Sequence, residues 1–126
     1  MEADCSWAEG MHEFSIVQSL LEVATAEARR AGAKRVLRLN CRIGVLRQID
    51  ARLMREAFGL LAEGTICAGA DLRVEKTYMQ ARCQACERTF DVRDWDWRCP
   101  GCGTEGSMVG GGDELELTSI EAETAE

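Results

Sequence analysis

Long apolar stretches and histidine are scarce in this chain of 126 residues, and its 22 acidic residues outnumber its 15 basic ones. No apolar run approaches the roughly 20 residues that a membrane-spanning helix needs, so we expect neither a membrane segment nor a membrane partner. The first ten residues carry three acidic side chains and no hydrophobic core, and we therefore expect no secretory signal. A cytoplasmic location is the simplest expectation.

The charge and the thiol content narrow the class of protein further. A formal net charge of -7 disfavours nucleic acid as a partner, because phosphates attract basic surfaces. Seven cysteines, an odd number, fit a reducing cytosol better than a secreted disulfide scaffold. Nothing in the sequence places a base beside Cys41 or Cys67, and both are expected to be small core residues rather than reactive thiols.

The most specific motif is a cysteine quartet in which two Cys-x-x-Cys pairs are separated by twelve residues: Cys83, Cys86, Cys99 and Cys102. Two such turns can direct four thiolates at one tetrahedral ion, most often zinc. Because all four positions are thiolates, no coordination position remains for water, and the site is structural rather than catalytic. Gly101 and Gly103 flank the last ligand and are expected to permit its sharp turn.

Hydrophobic periodicity predicts two helices and three strands. The helices are expected over residues 14–31 and about 51–63, and the strands over 35–45, 71–79 and 113–120. The predicted core faces follow helical or alternating spacing: Val17, Leu20, Leu21, Ala24 and Ala28 in the first helix, Leu37, Leu39, Cys41 and Ile43 in the first strand, and Leu53, Met54, Ala57, Phe58 and Leu61 in the second helix.

This order predicts an α+β fold, with two helices on a three-stranded sheet and an inserted four-cysteine zinc-ribbon lobe. Residues 11–79 and 107–121 would form the α/β domain and 80–106 the lobe. Residues 1–10 would be an extension and 122–126 a frayed acidic tail.

The lobe is too short to build a hydrophobic core of its own, so metal and aromatic side chains must hold it together. We expect the lobe's aromatic residues, Phe90, Trp95 and Trp97, to help hold it together. For the two tryptophans we favour packing around the cysteine turns over a partner-binding patch. The small residues 107–112 are expected to be a connector to the last strand.

A second candidate metal site consists of His12, the only histidine, and its neighbour Glu13. Both stand where the first helix is expected to begin, and an imidazole and a carboxylate at an unwound helix start can reach one cation. Nickel(II) favours nitrogen and oxygen donors, and deprotonated backbone amides can contribute. Spacing alone leaves open that His12 is an ordinary surface residue and that Glu13 only complements the helix dipole.

Taken together, these motifs resemble the HypA/HybF family, the nickel metallochaperones of hydrogenase maturation. Four segments in the family's order carry the resemblance: Met11-His12-Glu13-Phe14-Ser15-Ile16-Val17, Ile43-Gly44, the cysteine quartet and Gly112-Asp113-Glu114-Leu115. The resemblance covers Met11 to about Glu121, which is nearly the whole chain.

The resemblance implies a carrier and not an enzyme: a nickel metallochaperone that binds Ni(II) reversibly and helps to insert it into the hydrogenase large subunit. It implies nickel ligation by His12 and Glu13 and zinc ligation by the cysteine quartet. In some members the acidic residue ahead of the second helix is also associated with nickel; here that residue is Asp50, for which a helix N-cap role is already sufficient. The implied partners are a nickel-maturation GTPase and the hydrogenase large subunit, with urease maturation proteins in some relatives, and the implied oligomeric state is a monomer or a homodimer.

The chain departs from the family pattern at its start. In the family the Met-His-Glu motif, which we call the start motif and which is Met11-His12-Glu13 here, stands at the N-terminus. Its free amine can help to bind nickel in the family, whereas ten residues precede Met11 in this chain. We favour Met11 as the real initiator. Otherwise the site would depend on His12, Glu13, backbone amides and water, with Cys5 as a further soft donor.

Three competing functions stay open at this point. A zinc-ribbon interaction module would bind nucleic acid or protein without delivering nickel, although the net charge and the lack of a basic, aromatic-rich strand argue against nucleic acid. A redox protein would hold iron in the quartet. A zinc hydrolase is the least compatible, because four thiolates leave no open coordination position.

Overall fold

A computed structural model describes the backbone of residues 4–124 and the side chains of residues 12–124. Within this range the elements are α1 (Asp4–Arg30), β1 (Ala33–Gly44), a 3₁₀ turn (Val45–Arg47), α2 (Ala51–Leu61), β2 (Asp71–Thr77), β3 (Met79–Cys83), β4 (Thr89–Val92), β5 (Gly106–Gly111) and β6 (Leu115–Thr124). The strands form two three-stranded sheets, in the orders β2-β1-β6 and β4-β3-β5. The predicted fold class is confirmed, and the second sheet is an addition that the sequence pattern did not predict.

The chain divides into two compact units. The first, which we call the helical unit, comprises the described residues of Met1–Cys41, Ile49–Val74 and Glu116–Glu126. The second, which we call the cysteine unit, comprises Arg42–Gln48 and Glu75–Leu115. The predicted lobe of residues 80–106 lies inside the cysteine unit and contains five of the six buried residues of its hydrophobic core, the sixth being Met79.

The core of the helical unit follows the predicted helical faces. All five predicted core residues of α1 are buried, and so are Met54, Ala57 and Phe58 of α2. Cys41 and Cys67 are buried as well, and desolvation raises the pKa of the Cys41 thiol to about 11 and also raises that of Cys67. Both thiols are therefore the unreactive core residues that the sequence predicts.

Part of the predicted core is wrong in detail. Leu37 is 45% exposed, and Val36 is buried in its place. The inward positions of β1 include Val36 and Leu39, three residues apart, so the alternation slips by one residue between them. Leu53 is exposed and Leu61 is only half-buried, because the buried face of α2 is narrower than predicted.

α1 begins at Asp4, well before the predicted start at residue 14. His12 and Glu13 therefore lie in the body of a helix, where backbone amides donate to carbonyl groups four residues earlier, and not at an unwound start. The end of α1 at Arg30 agrees with the prediction within one residue, and Gly32 follows with a φ of 75°. Neither helix of the described range combines the length and apolar character needed to cross a membrane.

Two segments that were predicted to be irregular are strands. The small residues 107–112 belong mostly to β5, which pairs antiparallel with β3 through a bulge. β6 continues to Thr124 and so includes part of the predicted frayed tail. Glycine-rich and acidic sequences have low strand propensity, and pairing with a neighbouring strand overrides it here.

Two short segments of the family resemblance meet in the cysteine unit. The amide of Gly44 donates to the carbonyl of Glu114 at 2.8 Å, and the amide of Leu46 donates to the carbonyl of Gly112 at 2.7 Å. Gly112 has a φ of 86°, which favours glycine. A Cβ on Gly44 would overlap the carbonyl group of Gly112. Both motifs are thus structural, because they allow two backbone segments to touch.

Replacing Gly44 with alanine is expected to destabilise the cysteine unit by about 2–4 kcal/mol, because backbone cannot rotate away from the added methyl group. Gly59 of α2 is a matched control, since a Cβ there would meet nothing within 4 Å. Alanine at Gly59 should stabilise the chain by about 0.5–1 kcal/mol. Thermal unfolding measures both variants, and equal melting temperatures would contradict the argument.

Candidate metal centres

The four sulfur atoms of the cysteine quartet lie within 4.8 Å of one another. Cys83 Sγ is 3.4 Å from Cys102 Sγ, and Cys86 Sγ is 3.6 Å from Cys99 Sγ. Sulfurs bound at about 2.3 Å to one tetrahedral zinc ion would lie about 3.8 Å apart, so the arrangement fits zinc. Among residues 12–124, no other group of three or more His, Cys, Asp or Glu side chains converges in this way.

The two Cys-x-x-Cys turns are built alike. In each, the amide of the first cysteine donates to the carbonyl five residues later: Cys83 to Arg88 at 2.8 Å and Cys99 to Thr104 at 2.9 Å. A main-chain amide inside each turn also points at the first sulfur of its pair, at 3.5 Å and 3.4 Å. Such donors stabilise thiolate over thiol, and thiolate is the form that binds metal.

The residue after the second cysteine of each turn has a positive φ, 63° at Glu87 and 80° at Gly103. Gly103 therefore has the role that the sequence predicts. Gly101 does not, because its φ lies outside the left-handed region; the missing side chain instead makes room for the guanidinium of Arg88. Glu87 carries no sequence signal for its conformation, because glycine is the residue that marks such positions.

The thiols of the quartet differ in acidity because they share one small space. Hydrogen bonds from Thr104, through its side chain and its amide, lower the pKa of Cys102 to about 6. The amide of Arg88 acts to lower the pKa of Cys86. The neighbouring thiols, Cys99 first among them, and desolvation oppose ionisation more strongly, and the pKa of Cys86 rises to about 11. A divalent cation stabilises all four thiolates together, so this donor set favours a bound metal ion.

A small hydrophobic core supports the quartet. Apart from two of the cysteines, it consists of Met79, Ala81, Phe90 and Val92, and Trp97 packs against it. The packing role predicted for Phe90 and Trp97 is therefore confirmed. The same prediction is wrong for Trp95, which is 67% exposed.

The helix separates the side chains of His12 and Glu13. Consecutive residues of an α-helix point about 100° apart, so they do not face each other. His12 is exposed, whereas Glu13 is only 3% exposed. The two side chains consequently do not converge as they would at an unwound helix start.

Glu13 instead faces the N-terminus of α2. Its Oε2 accepts the amide of Asp50 at 2.9 Å, and its buried Oε1 has no hydrogen-bond partner among the described residues. A buried polar atom without a partner costs roughly 1–3 kcal/mol, so Oε1 is a candidate donor atom for a cation. The contact between Glu13 and Asp50 joins residues 37 apart in sequence, and no local pattern predicts it.

Asp50 has the predicted N-cap role. Its Oδ1 accepts the amides of Arg52 and Leu53 at 2.9 Å and 3.3 Å. The structure thus brings Asp50 to Glu13 through a main-chain amide and not through a pair of converging carboxylates. The side chain of Cys5, the further predicted soft donor, lies outside the described residues.

Known proteins are similar to this chain over most of its length. A family model described as HypA, hydrogenase/urease nickel incorporation, metallochaperone, matches residues 11–122. The matched region contains both His12 and Glu13 and the whole cysteine quartet.

Curated relatives align with the chain over nearly their full length. The hydrogenase maturation factor HypA of Aquifex aeolicus is 36% identical over 113 residues, which covers 90% of this chain and 98% of the relative. HybF of Salmonella typhimurium is 33% identical over 113 residues, which covers 90% of this chain and 100% of the relative.

A solved structure has a similar fold. The solution structure of the Ni metallochaperone HypA from Helicobacter pylori has a TM-score of 0.60 and 25% sequence identity to this chain. The similarity covers 90% of this chain and 98% of that one.

Proposed function

The chain belongs to the HypA family of hydrogenase/urease nickel-incorporation metallochaperones, and we propose that it binds Ni(II) reversibly and helps to insert it into the large subunit of a nickel–iron hydrogenase. The family match over residues 11–122 supports this proposal, because the matched region includes both candidate metal centres. The proposed partners are a nickel-maturation GTPase, the hydrogenase large subunit and, as in some relatives, urease maturation proteins. The protein would act in the cytoplasm as a carrier rather than as an enzyme, either as a monomer or as a homodimer.

We assign the cysteine quartet to structural zinc. The spacing of its sulfurs and the soft character of four thiolates support this assignment. Zinc in such a site supplies folding energy, because the thiolates fill its coordination shell. The role of the quartet is therefore to hold the cysteine unit in one conformation.

We assign nickel to the start motif. His12 supplies an accessible imidazole, and Glu13 supplies Oε1, the oxygen that no described hydrogen bond uses. The two groups point in different directions in α1, so binding requires that α1 unwinds as far as about residue 13. This unwinding involves the ten residues from Asp4 to Glu13, and its free-energy cost weakens nickel binding. A nickel ion that is delivered to another protein must bind weakly enough to dissociate from its carrier.

Asp50 is the third candidate for nickel, and its capping bonds already account for its position. Asp50→Asn retains a good N-cap and the amide that Glu13 accepts, but it removes the charge. We expect this variant to change nickel affinity by less than about threefold and stability by less than about 0.5 kcal/mol. A loss of affinity of tenfold or more in nickel titration would make Asp50 a ligand.

Delivery of nickel is tested in a host that lacks its own HypA-type factor. Expression of the chain is expected to restore nickel-dependent hydrogenase activity, and expression of His12→Ala at the same level is expected not to. Full restoration by His12→Ala would reject His12 as part of the nickel site. Failure of the unaltered chain, with normal expression and metal content, would leave an interaction module that does not deliver nickel.

A further inference from the structure

Backbone strain is concentrated at one cavity of the cysteine unit. Of the four non-glycine residues with positive φ in the described chain, Gln48, Asp94 and Trp95 line this cavity, and Glu87 belongs to a cysteine turn. A left-handed conformation costs such a residue roughly 1 kcal/mol or more, and this kind of strain gathers at functional sites. The cavity, which we call the Trp95 cleft, has a volume of about 370 Å³ and contains none of the candidate metal ligands.

Trp95 is held outward by a tight turn. Asp94 and Trp95 have φ values of 55° and 60°, and the amide of Asp96 donates to the carbonyl of Arg93 at 3.0 Å. A two-residue turn with both central residues left-handed favours Asn-Gly or Asp-Gly, so Trp95 stands where glycine is preferred. Because its side chain is 67% exposed, burial in this chain does little to offset the strain.

Contacts on both sides fix this turn in place. The guanidinium of Arg93 lies 4.2 Å from the centre of the Tyr78 ring and pairs with Asp91 at 3.3 Å. On the other side, Asp96 accepts Arg98 Nε at 2.9 Å. A large aromatic side chain is thus displayed on a fixed backbone, and such preorganisation lowers the entropic cost of binding a partner.

The cleft combines an apolar interior with two charges. Met79 and Val92 line it and are almost fully buried. Lys76 and Asp94 also line it, and neither forms an ion pair within residues 12–124. The complement to this lining is an apolar group with a carboxylate beside it for the ammonium and an N–H donor for the aspartate.

We propose that the Trp95 cleft binds a peptide segment of a protein partner in which an aromatic side chain stands next to an acidic one. The aromatic ring packs against Trp95 and Tyr78, and the acidic side chain pairs with Lys76. A main-chain amide of the segment donates to Asp94. The volume suits one aromatic side chain with its neighbouring groups, since it lies near the lower limit for sites that enclose a whole drug-sized ligand.

The test uses the full-length, zinc-loaded protein, without nickel, with fluorinated tryptophan at its three tryptophan positions. The ¹⁹F signal of Trp95 is assigned with the variant Trp95→Phe. The blocked dipeptide phenylalanyl-glutamate should shift this signal saturably, and phenylalanyl-lysine should bind at least about threefold more weakly. No shift with the glutamate peptide up to about 10 mM, which corresponds to a negligible affinity, would overturn the proposal.

The two lysines of the chain provide a matched pair of variants. Lys76→Gln should weaken binding of the glutamate peptide about threefold, as expected for one exposed ion pair. Lys34→Gln makes the same change in net charge in β1 of the helical unit and should leave binding unchanged. Equal effects of the two substitutions would overturn the assigned contact.

Stability separates a binding role of Trp95 from a structural one. Trp95→Gly places glycine where the turn favours it, so the melting temperature should stay the same or rise, while peptide-induced shifts of the Tyr78 amide should disappear. A lower melting temperature for Trp95→Gly would assign Trp95 to packing and overturn the proposal. The experiment involves no nickel, so its failure is distinct from failure of the proposed nickel delivery.

Discussion

Replacing Cys83 with serine is expected to abolish zinc binding at the quartet and to unfold the cysteine unit. Two of the six buried residues that form the core of this unit, Cys83 and Cys99, belong to the quartet, so only four other buried side chains support the unit. A structural zinc site supplies about 10–16 kcal/mol at neutral pH, which is as large as the whole stability of a typical domain. We therefore expect complete loss of folding in this unit rather than a lower melting temperature.

Metal analysis and near-ultraviolet circular dichroism check this result. The unaltered chain should contain one zinc ion, and Cys83→Ser should contain none and should lose the signal of the packed Trp97. Cys41→Ala is the matched control, because it removes one buried thiol from the helical unit and should keep one zinc ion per chain. Zinc that persists in a Cys83→Ser, Cys99→Ser double variant would reject the ligand set.

The same analysis separates zinc from iron. A quartet of this spacing also suits iron in a redox protein. A colourless preparation with one zinc ion per chain is the expected outcome. A coloured, iron-containing native preparation would favour the redox function instead.

The parts of this fold that could be predicted from sequence are those that local periodicity encodes. The apolar spacing of α1 identifies its buried face from Val17 to Ala28, and the cysteine spacing identifies the quartet. Asp50 is recognisable as an N-cap because a cap bonds to amides only two and three residues away. In each case one short segment contains the whole physical reason.

The parts that could not be predicted depend on contacts between distant segments. β5 has a glycine-rich sequence and becomes a strand because it pairs with β3. Position 44 requires glycine because the carbonyl group of Gly112 lies against it. Glu13 is buried where it accepts the amide of Asp50, a residue far away in sequence. Periodicity places the start of α1 too late, because the first residues of the helix lack the apolar spacing that marks one.

Nickel affinity is expected to move in opposite directions in two variants. His12→Ala should weaken Ni(II) binding by at least about 100-fold, since loss of a residue that only supports a metal ligand already costs 10–100-fold. A chain that begins at Met11 should bind Ni(II) more tightly than the chain with ten preceding residues. Isothermal titration of zinc-loaded protein measures both effects.

The tighter nickel binding expected of the chain that begins at Met11 follows from the hydrogen bonds of a helix start. With α1 running from Asp4, the amides of His12 and Glu13 are donors within the helix. In a chain that begins at Met11, the first four amides of the helix have no helical acceptor, and a free amine is added beside them. Nickel then meets nitrogen donors that need not be released from a helix. Equal affinities of the two chains would mean that these amides and the amine take no part.

Control variants on the same helix keep the nickel result specific. Gln18 is exposed on α1, so Gln18→Ala should leave nickel affinity unchanged. Glu13→Gln can keep the acceptor for the amide of Asp50 while it removes the charge, so it should weaken nickel binding about tenfold with little loss of stability. Equal nickel binding by His12→Ala and the unaltered chain would reject the site.

The absorption spectrum of the nickel complex identifies which of the two centres is loaded. Nickel bound to thiolates gives sulfur-to-metal charge-transfer bands, whereas nickel bound to nitrogen and oxygen donors does not. Zinc-loaded protein should show no such bands, because the quartet is filled and the proposed ligands His12 and Glu13 bind through nitrogen and oxygen. Their appearance in the full-length chain, and their loss in Cys5→Ser, would instead make Cys5 a nickel ligand and replace the donor set proposed for His12 and Glu13.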